Sequence, residues 1–471
     1  MATQSMKILL RQAKLHGNMP KSLGKARGAG SASLDFLIED GVLTKAGPDL
    51  KVRGAVEVVS NNLHLSRGFT DLYAHFGTPG YENRETLHTG SMAAVAGGFT
   101  RVLLQPDTLP VLQTGGEIAS LRAASAGLPV EIQIAAALTE DLNGQDLTDM
   151  MDLKVHGAAA FSNANAAIES AHSMLRILQY GSMTGLPLMC VPHDKGISQG
   201  GQMHESALSL QWGLRGIPAV AETLRLDRDL ALLDYLGQEK ARLPVHLHWS
   251  KISCAGSLDR IRTAQSKGSS VTCGVAAHHL LSTAEDLSGF RSEFKVFPPL
   301  RSEADRLALV QGVMDGTITN ICSDHQPGDF EAKDNEFPHA EFGQAGIQYA
   351  FAAALEAGQG LPVRSRSIWV NRVVQAFTCG PEEVLGIRES VEDEWQNGRA
   401  NGWVIFDPTL NLESSKGNKT RNASHTVAPI SNLAHSKGVA QAYRNRRFAA
   451  GILAVAGRDG SWFSSSLQGL R

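Results

Sequence analysis

Gly68-Phe-Thr-Asp-Leu-Tyr-Ala-His-Phe-Gly-Thr-Pro-Gly80 is the stretch from which the fold and the chemistry of this chain are interpreted. Its apolar residues and its Pro-Gly pair predict a short strand over 69–76 that ends in a tight turn. Alternate residues of a strand point to the same side, so Asp71, Tyr73 and His75 share one face. A metal hydrolase would place two imidazoles on that face. Here the first is a phenol, whose ordinary pKa near ~10 makes it a poor metal ligand.

Eight predicted strands begin with this stretch and alternate with predicted helices. They cover 69–76, 100–104, 130–136, 158–161, 186–191, 245–252, 271–277 and 318–322. The strands are mostly apolar, as is typical of strands that are covered on both faces. Eight strand–helix units predict an α/β protein built on a (β/α)8 TIM-type barrel, with its chemistry where the strands end.

The two ends of the chain predict a second, smaller unit. Short strand-like pieces and an Asp40-Gly41 turn precede the barrel, and strand-like residues return after about residue 395. Neither piece is long enough to bury a core alone. We therefore expect 1–62 and 396–471 to form one small flanking β domain, and 63–395 to form the barrel.

Composition excludes several classes of function. The chain has 471 residues, a formal net charge of −3 and five scattered cysteines without a CxxC pair. These features predict a reduced, cytoplasmic protein that binds neither nucleic acid nor an anionic membrane. No apolar run reaches the ~18 residues that cross a bilayer. The basic, acid-free first 34 residues resemble a weak transit peptide, but a strand followed by a basic loop is the preferred interpretation.

Four segments, taken together and in order, resemble the dihydroorotase branch of the cyclic amidohydrolases. They are 68–80, 82–108, Lys251–Ser257 with His278-His279-Leu280, and Pro298–Arg301 with Ser323–Pro327. The resemblance implies a metal-dependent (β/α)8 barrel with a flanking β domain. It also implies zinc as cofactor, and closure or opening of the dihydroorotate ring in pyrimidine synthesis.

The resemblance assigns metal-binding roles that this chain keeps only in part. Asp324 matches the Asp that binds metal and shuttles the proton, and His75 matches one imidazole of the first strand. Tyr73 replaces the other imidazole, and Lys251 replaces the ligand His after the sixth strand. Asn163 and Asn165, two neutral amides, stand near the position of the bridging carboxylate. An ammonium repels a cation, so these changes oppose metal binding.

Three other histidines remain possible substitutes if the alignment shifts. His193 lies two residues from Val191, which stands where the family places a ligand after the fifth strand. His246 and His248 lie just before Lys251. The sequence leaves open which of them, if any, completes a metal site.

The positions that would hold the substrate are also changed. Gly77 replaces the Arg that grips the substrate carboxylate, and Asp107 replaces an Asn beside it. Loss of that charge-assisted contact would cost roughly 2–3 kcal/mol of binding. Phe297 and Gly328 replace an Asn and a His elsewhere in the pocket. All four changes weaken the binding of dihydroorotate.

The retained groups also have purely structural interpretations. Asp324-His325 could be a buried hydrogen-bonded pair that caps a strand, and His278-His279 a packing pair. Lys251 could form an ion pair with Asp324 across the barrel mouth, replacing a metal cation with an ammonium. We state that pair as a structural hypothesis.

Three hypotheses of function follow, and the sequence leaves the question of enzyme activity open. The first is a dihydroorotase homologue without catalysis that assembles as an oligomer and acts as a structural partner of aspartate carbamoyltransferase. The second is an active enzyme for dihydroorotate or a related cyclic amide, with one zinc held by His75, Asp324 and some of His193, His246 or His248. The third is a barrel that binds a small anion near Lys251 and His278.

Overall fold

A computed structural model describes residues 7–17, 33–238, 245–387, 402–409, 451–456 and 462–463. The small sheet begins with β1 (Lys7–Leu15), β2 (Leu34–Glu39), β3 (Val42–Gly47), β4 (Val56–Val58) and β5 (His64–Arg67). The barrel strands are β6 (Phe69–Ala74), β7 (Phe99–Leu104), β8 (Glu131–Ala137), β9 (Ala160–Ser162) and β10 (Leu188–Cys190), then β13 (Leu247–Trp249), β14 (Val271–Ala276) and β15 (Asn320–Cys322). A two-stranded pair, β11 (Met203–His204) and β12 (Gly216–Ile217), lies between them in the chain, and β16 (Trp403–Asp407), β17 (Gly451–Ala456) and β18 (Trp462–Phe463) end it.

Helices connect and surround the barrel strands. They are α1 (Leu87–Ala96), α2 (Gly115–Ala124), α3 (Met150–His156), α4 (Ala171–Ser182), α5 (Lys195–Ser198), α6 (Ala207–Gln211), α7 (Val220–Gln238), α8 (Ala255–Ser266), α9 (Ala277–Leu281), α10 (Glu303–Asp315), α11 (Phe330–Lys333), α12 (Ala350–Ala357), α13 (Val363–Phe377) and α14 (Cys379–Leu385). Local chemistry sets several of their ends. Thr114 and Glu117 form a capping box at the start of α2, and α10 ends at Gly316 in the left-handed region. None of the helices in the described part of the chain combines the length and apolar character needed to cross a bilayer.

The eight predicted barrel strands are confirmed. They pair in chain order from β6 to β15, and each neighbouring pair is parallel. The last strand returns to the first, because His75 N donates to the carbonyl of His325 at 2.8 Å. This closure brings the carboxyl ends of all eight strands to one mouth.

The interior of the barrel is packed in layers. Small and medium apolar side chains fill the lower part and meet Val384 of α14. Tyr73, Val191, Ala276 and Cys322 form the upper layer, against Phe297. The polar groups of the mouth therefore lie on a closed apolar floor rather than over an open pore.

Both chain ends build the flanking sheet, as predicted. The order is β18-β17-β16-β5-β1-β2-β3, with β4 paired to β1. β5 belongs to this sheet through antiparallel pairing with β16, so the sheet includes residues as far as Arg67. The division into 1–62 with 396–471 and 63–395 stays a prediction. The basic loop over 18–32 and the tail over 410–450 lie outside the described residues.

Candidate functional site

The barrel mouth gathers polar side chains from strands that are distant in the sequence. Tyr73 comes from β6, Asn165 follows β9, Lys251 follows β13 and Asp324 follows β15. Asp324 has a φ of 49°, in the left-handed region that non-glycine residues seldom adopt. This turn lies in the loop after the last barrel strand, where Asp324 contacts Lys251.

Lys251 lies at the centre of this group. Its side chain is 0% exposed. Its Nζ donates to Asp324 Oδ1 at 2.6 Å, to the carbonyl of Phe297 at 2.8 Å and to Asn165 Oδ1 at 3.0 Å. Three acceptors satisfy all three N–H groups of an ammonium. The ion pair proposed from the sequence between Lys251 and Asp324 is thus confirmed.

Tyr73 contributes both its ring and its hydroxyl. The ring centroid lies 4.2 Å from Lys251 Nζ, a cation–π contact. The hydroxyl donates to Asn165 Oδ1 at 3.0 Å. Burial, with the charges of Asp107 and Asp324, raises the pKa of Tyr73 well above its ordinary value. The phenol is therefore neutral at neutral pH.

Asp324 is engaged from several sides. The oxygen that meets Lys251 also accepts from Gln326 Nε2 at 2.6 Å. The other oxygen lies 3.7 Å from His278 Nε2 and has no hydrogen-bond partner among the described residues. Burial, with the charges of His279 and Lys251, lowers the pKa of His278 well below its ordinary value. Because His278 is then neutral, Lys251 supplies the positive charge that faces Asp324.

His75 faces a different carboxylate. Its Nδ1 lies 2.8 Å from Asp107 Oδ1. Its Nε2 is buried and has no hydrogen-bond partner among the described residues. Burial disfavours the charged form of Asp107, but His75 and Lys251 together hold its pKa below the ordinary value. The negative charge that the sequence places at position 107 is therefore retained.

The structure does not bring the candidate substitute ligands into one cluster with His75 and Asp324. His193 Nε2 contacts Ser198 Oγ at 2.7 Å, and its ring packs edge-on against Phe297. Within the described ranges, no group of three or more His, Cys, Asp or Glu side chains could hold a metal ion. Burial lowers the pKa of His193 to about 4, so this imidazole is neutral at neutral pH.

His246 and His248 share a single partner deeper in the barrel. His246 Nε2 and His248 Nδ1 each lie 2.9 Å from Thr272 Oγ1. Burial lowers the pKa of His248 to about 3. Both histidines are therefore bound to a strand neighbour, and neither replaces Lys251 at the mouth.

Asn163 and Asn165 point in different directions. Asn163 Oδ1 accepts from Thr139 N at 3.1 Å, and its Nδ2 donates to Thr139 Oγ1 at 2.8 Å. Asn165 is the amide that contacts Lys251. Ala164 between them has a φ of 49°. The spacing alone did not show which amide enters the site.

The substrate positions are altered in shape as well as in charge. A Cβ at Gly77 would collide with the carbonyl oxygens of Tyr81 and Glu85, so the turn leaves no space for an Arg side chain there. Phe297 packs against His193 and Phe342. A cavity of about 350 Å³ remains beside His75, Gly77, Asp107, Gln326 and Gly328. Asp107 places a carboxylate at the position of the family's Asn, and Arg84 and Lys333 also line this cavity.

These donors do not fit a resident zinc ion. One oxygen of the acid that would bind it, Oδ1 of Asp324, already accepts from an ammonium and an amide. The phenol of Tyr73 is neutral. A second positive charge next to Lys251 Nζ would be repelled. Together these groups surround the Lys251 ammonium with three hydrogen-bond acceptors and an aromatic ring.

Comparison with known proteins gives a consistent result. A family model described as Dihydro-orotase-like matches residues 64–275. The chain is 36% identical over 380 residues to a dihydroorotase of Pelotomaculum thermopropionicum, covering 80% of this chain and 85% of that protein. It is 35% identical over 418 residues to a dihydroorotase of Anaeromyxobacter sp. (strain K), covering 88% and 89%.

Solved structures show the same fold. L-hydantoinase (dihydropyrimidinase) from Arthrobacter aurescens superposes with a TM-score of 0.76 at 18% identity, covering 97% of this chain and 96% of that chain. The dihydropyrimidinase from Brevibacillus agri gives a TM-score of 0.72, also at 18% identity, covering 97% and 95%. At such low identity the likeness establishes the architecture only.

Proposed function

The chain belongs to the dihydroorotase family, and we propose that within it this protein is a non-catalytic member that serves pyrimidine biosynthesis as a structural partner of aspartate carbamoyltransferase. A cytoplasmic location and an oligomeric assembly are parts of the same proposal. The family membership rests on the curated relatives. The absence of catalysis and the partner are proposed.

One observation carries the non-catalytic part of the proposal, the 2.6 Å contact between Lys251 Nζ and Asp324 Oδ1. The family reaction uses this acid to bind metal and to move a proton. Here the same oxygen is shared by an ammonium and by Gln326 Nε2. A metal ion bound to that oxygen would compete with both of these charge-assisted hydrogen bonds.

Charge repulsion argues in the same direction. Two unit charges about 4 Å apart interact by about 4 kcal/mol near a protein surface, so a divalent ion at that distance from an ammonium would cost about 8 kcal/mol. Lys251 is fully buried, which leaves little solvent to screen the repulsion. A metal ion bound to Asp324 Oδ1 would have to displace the ammonium from that oxygen.

The substrate subsite gives a second line of support. The backbone closes over Gly77, so the family's gripping Arg has no counterpart there. The nearby Asp107 carries a negative charge beside His75. Dihydroorotate is itself a carboxylate, and it would meet a like charge in place of a guanidinium.

The structural role is supported by what the chain retains. All eight barrel strands and the flanking sheet are present, whereas most groups of the expected catalytic set are exchanged. A complete scaffold with an altered site favours a function that depends on the surface of the protein. The choice of aspartate carbamoyltransferase comes from the family resemblance.

The test has three measurements on protein purified without chelators. They are zinc stoichiometry, dihydroorotate turnover in both directions, and co-elution with aspartate carbamoyltransferase from the same organism. We expect no stoichiometric zinc, no turnover above buffer, and a stable complex. The Pelotomaculum thermopropionicum relative, assayed in parallel, controls for the turnover measurement.

One result would restore the alternative of an active single-zinc cyclic amidohydrolase. It is about one equivalent of zinc together with turnover that disappears in Asp324→Ala. The buried, unpartnered Nε2 of His75 is the observation that favours that alternative. Failure to bind aspartate carbamoyltransferase would refute the partner and leave the non-catalytic part standing.

A further inference from the structure

Three departures from the family pattern meet at a single atom. Tyr73, Asn165 and Lys251 stand at or near three different expected metal-ligand positions, on three separate barrel segments. The ring of Tyr73 and the amide of Asn165 both contact Lys251 Nζ. Considered separately, each change removes a metal ligand. Considered together, they supply the surroundings of an ammonium ion.

We infer that Lys251 is a tethered cation that replaces a dissociable metal ion as the structural centre of the barrel mouth, and that Tyr73 and Asn165 belong to a shell that binds its ammonium. The same shell would bind a free small ammonium ion if the lysine side chain were removed. The inference deepens the proposed function and rests on it in one respect, that the mouth holds no catalytic metal.

The geometry of the shell supports this assignment. The three acceptors of Lys251 belong to Asn165, Phe297 and Asp324, and the ring of Tyr73 lies against the same ammonium. Four chain segments therefore converge on one charge. A cation held by several separate segments ties them together, as a structural metal ion does.

Hydrogen bonds between the shell residues form a closed ring. Tyr73 Oη and Lys251 Nζ donate to the same oxygen of Asn165. Asn165 Nδ2 contacts Gln326 Oε1 at 3.4 Å, and Gln326 Nε2 donates to Asp324 at 2.6 Å. Asn165 and Asp324 are each held by a neighbouring side chain so that an oxygen faces the ammonium. These oxygens can accept hydrogen bonds from a cation that carries N–H groups.

A simpler interpretation is an isolated buried ion pair. In that case the energy would reside in Lys251 and Asp324 alone, and a free ammonium ion would have no built site to enter. A preformed shell makes a different prediction, because its acceptors remain in place after the side chain is truncated. Chemical rescue separates the two.

The experiment measures the thermal unfolding of Lys251→Ala with methylammonium chloride, and with sodium chloride at equal ionic strength. We expect the substitution to lower Tm by about 3–5 °C. Methylammonium should restore at least half of that loss, and its effect should saturate. Sodium chloride should not restore it, and neither should tetramethylammonium, which has the charge without N–H donors.

The double variant Lys251→Ala/Asp324→Asn is the matched control, because it lacks the only formal negative charge of the shell. We expect no rescue by methylammonium there. A folded Lys251→Ala protein that methylammonium does not stabilise overturns the inference. Equal rescue by tetramethylammonium also overturns it, because charge alone would then explain the effect.

A measurement on the unmodified lysine covers the case in which Lys251→Ala does not fold. Protein labelled with ¹⁵N-lysine should show a slowly exchanging ammonium resonance, shifted upfield because Nζ lies against the ring of Tyr73. Tyr73→Leu should remove the upfield shift, and Tyr73→Phe should keep most of it. Absence of such a resonance overturns the inference. None of these readouts depends on dihydroorotate turnover or on a partner protein, so failure here is distinct from failure of the proposed function.

Discussion

Two kinds of buried lysine lie near the barrel mouth, and they are stabilised in different ways. Lys251 faces a carboxylate and an aromatic ring. Lys295 donates instead to the carbonyl oxygens of Phe337, Pro338 and Ala340, at 2.8, 3.1 and 2.7 Å. Lys295 Nζ also lies 5.2 and 4.9 Å from the ring centroids of Phe337 and Phe342. The difference is therefore the formal negative charge, which Lys251 meets in Asp324 and Lys295 does not meet in these contacts.

Lys333 repeats the second arrangement. Its Nζ donates to the carbonyls of Ser292, Lys295 and Glu341, at 3.2, 3.2 and 2.6 Å. Burial lowers the pKa of Lys295 to about 8. Burial, with the charge of Lys295, lowers the pKa of Lys333 to about 7. Without a carboxylate in direct contact, a buried ammonium is thus sensitive to pH near neutrality.

The comparison shows two uses of the same side chain. Lys295 and Lys333 join the segment that precedes Pro298 to the loop over 330–343, and they neutralise no acid. Lys251 neutralises Asp324, the residue on which the family chemistry depends. We therefore expect the contribution of Lys295 and Lys333 to stability to depend mainly on pH. The contribution of Lys251 should depend mainly on the presence of Asp324.

The largest expected effect is at the ion pair of the mouth. Lys251→Met or Asp324→Asn alone should lower the free energy of unfolding by about 3–5 kcal/mol, because each leaves a buried partner uncompensated. The double variant should lose at least about 2 kcal/mol less unfolding free energy than the two single variants lose in total. Urea unfolding of the unmodified protein, the two single variants and the double variant gives the coupling energy of the pair.

An exposed pair provides the control for that cycle. Arg260 and Asp227 have side chains that are 37% and 48% exposed, and the same cycle there should give a coupling of about 0.2–1 kcal/mol. Equal coupling at the two pairs, or none at the mouth, would contradict the assigned role of Lys251.

A smaller effect is expected at Lys333, and it depends on pH. The unfolded chain keeps the ordinary lysine pKa of 10.5, whereas the folded value is about 7. Between these values the unfolded chain binds more protons, so the free energy of unfolding should rise with pH, by up to about 1.4 kcal/mol per unit. Below pH 7 this contribution is constant and least favourable.

Urea unfolding across that pH range measures the slope. Lys333→Met should reduce it, and Lys45→Met, at an exposed lysine, should leave it unchanged. A slope that is the same in all three proteins would show that Lys333 stays protonated in its carbonyl cage.

The smallest expected effect concerns the shell of Lys251. Tyr73→Phe removes one hydrogen bond to Asn165 and should cost about 1 kcal/mol of stability. Tyr73→Leu also removes the ring beside the ammonium and should cost about 1–2 kcal/mol more. If urea unfolding gives equal costs for both, the ring contributes nothing to the binding of the ammonium.

Sequence reasoning succeeded where a feature is repeated along the chain. The apolar strands predicted the barrel, because burial on both faces leaves a pattern in every strand. The unusual residue types at Tyr73 and Lys251 indicated an altered metal site. The pairing of Lys251 with Asp324 was also predictable, because an ammonium and a carboxylate at the ends of barrel strands meet at one mouth.

Other features of the site left no such pattern. Lys295 and Lys333 were not singled out, since their partners are backbone carbonyls and any residue type supplies one. Phe297 was singled out as a replaced side chain in the pocket, but its backbone carbonyl also binds Lys251. His193 and His248 looked like substitute ligands by spacing, yet each is bound to a neighbour near its own strand.

The sequence by itself determined the family, the order of the barrel strands and the types of residue that reach the mouth. Only the tertiary structure decided which of them touch. The left-handed turn at Ala164 sends Asn163 toward Thr139 and Asn165 toward Lys251. The physical reason is that residue type sets which interactions a side chain can make, whereas its direction depends on backbone angles set by the packing of the whole chain.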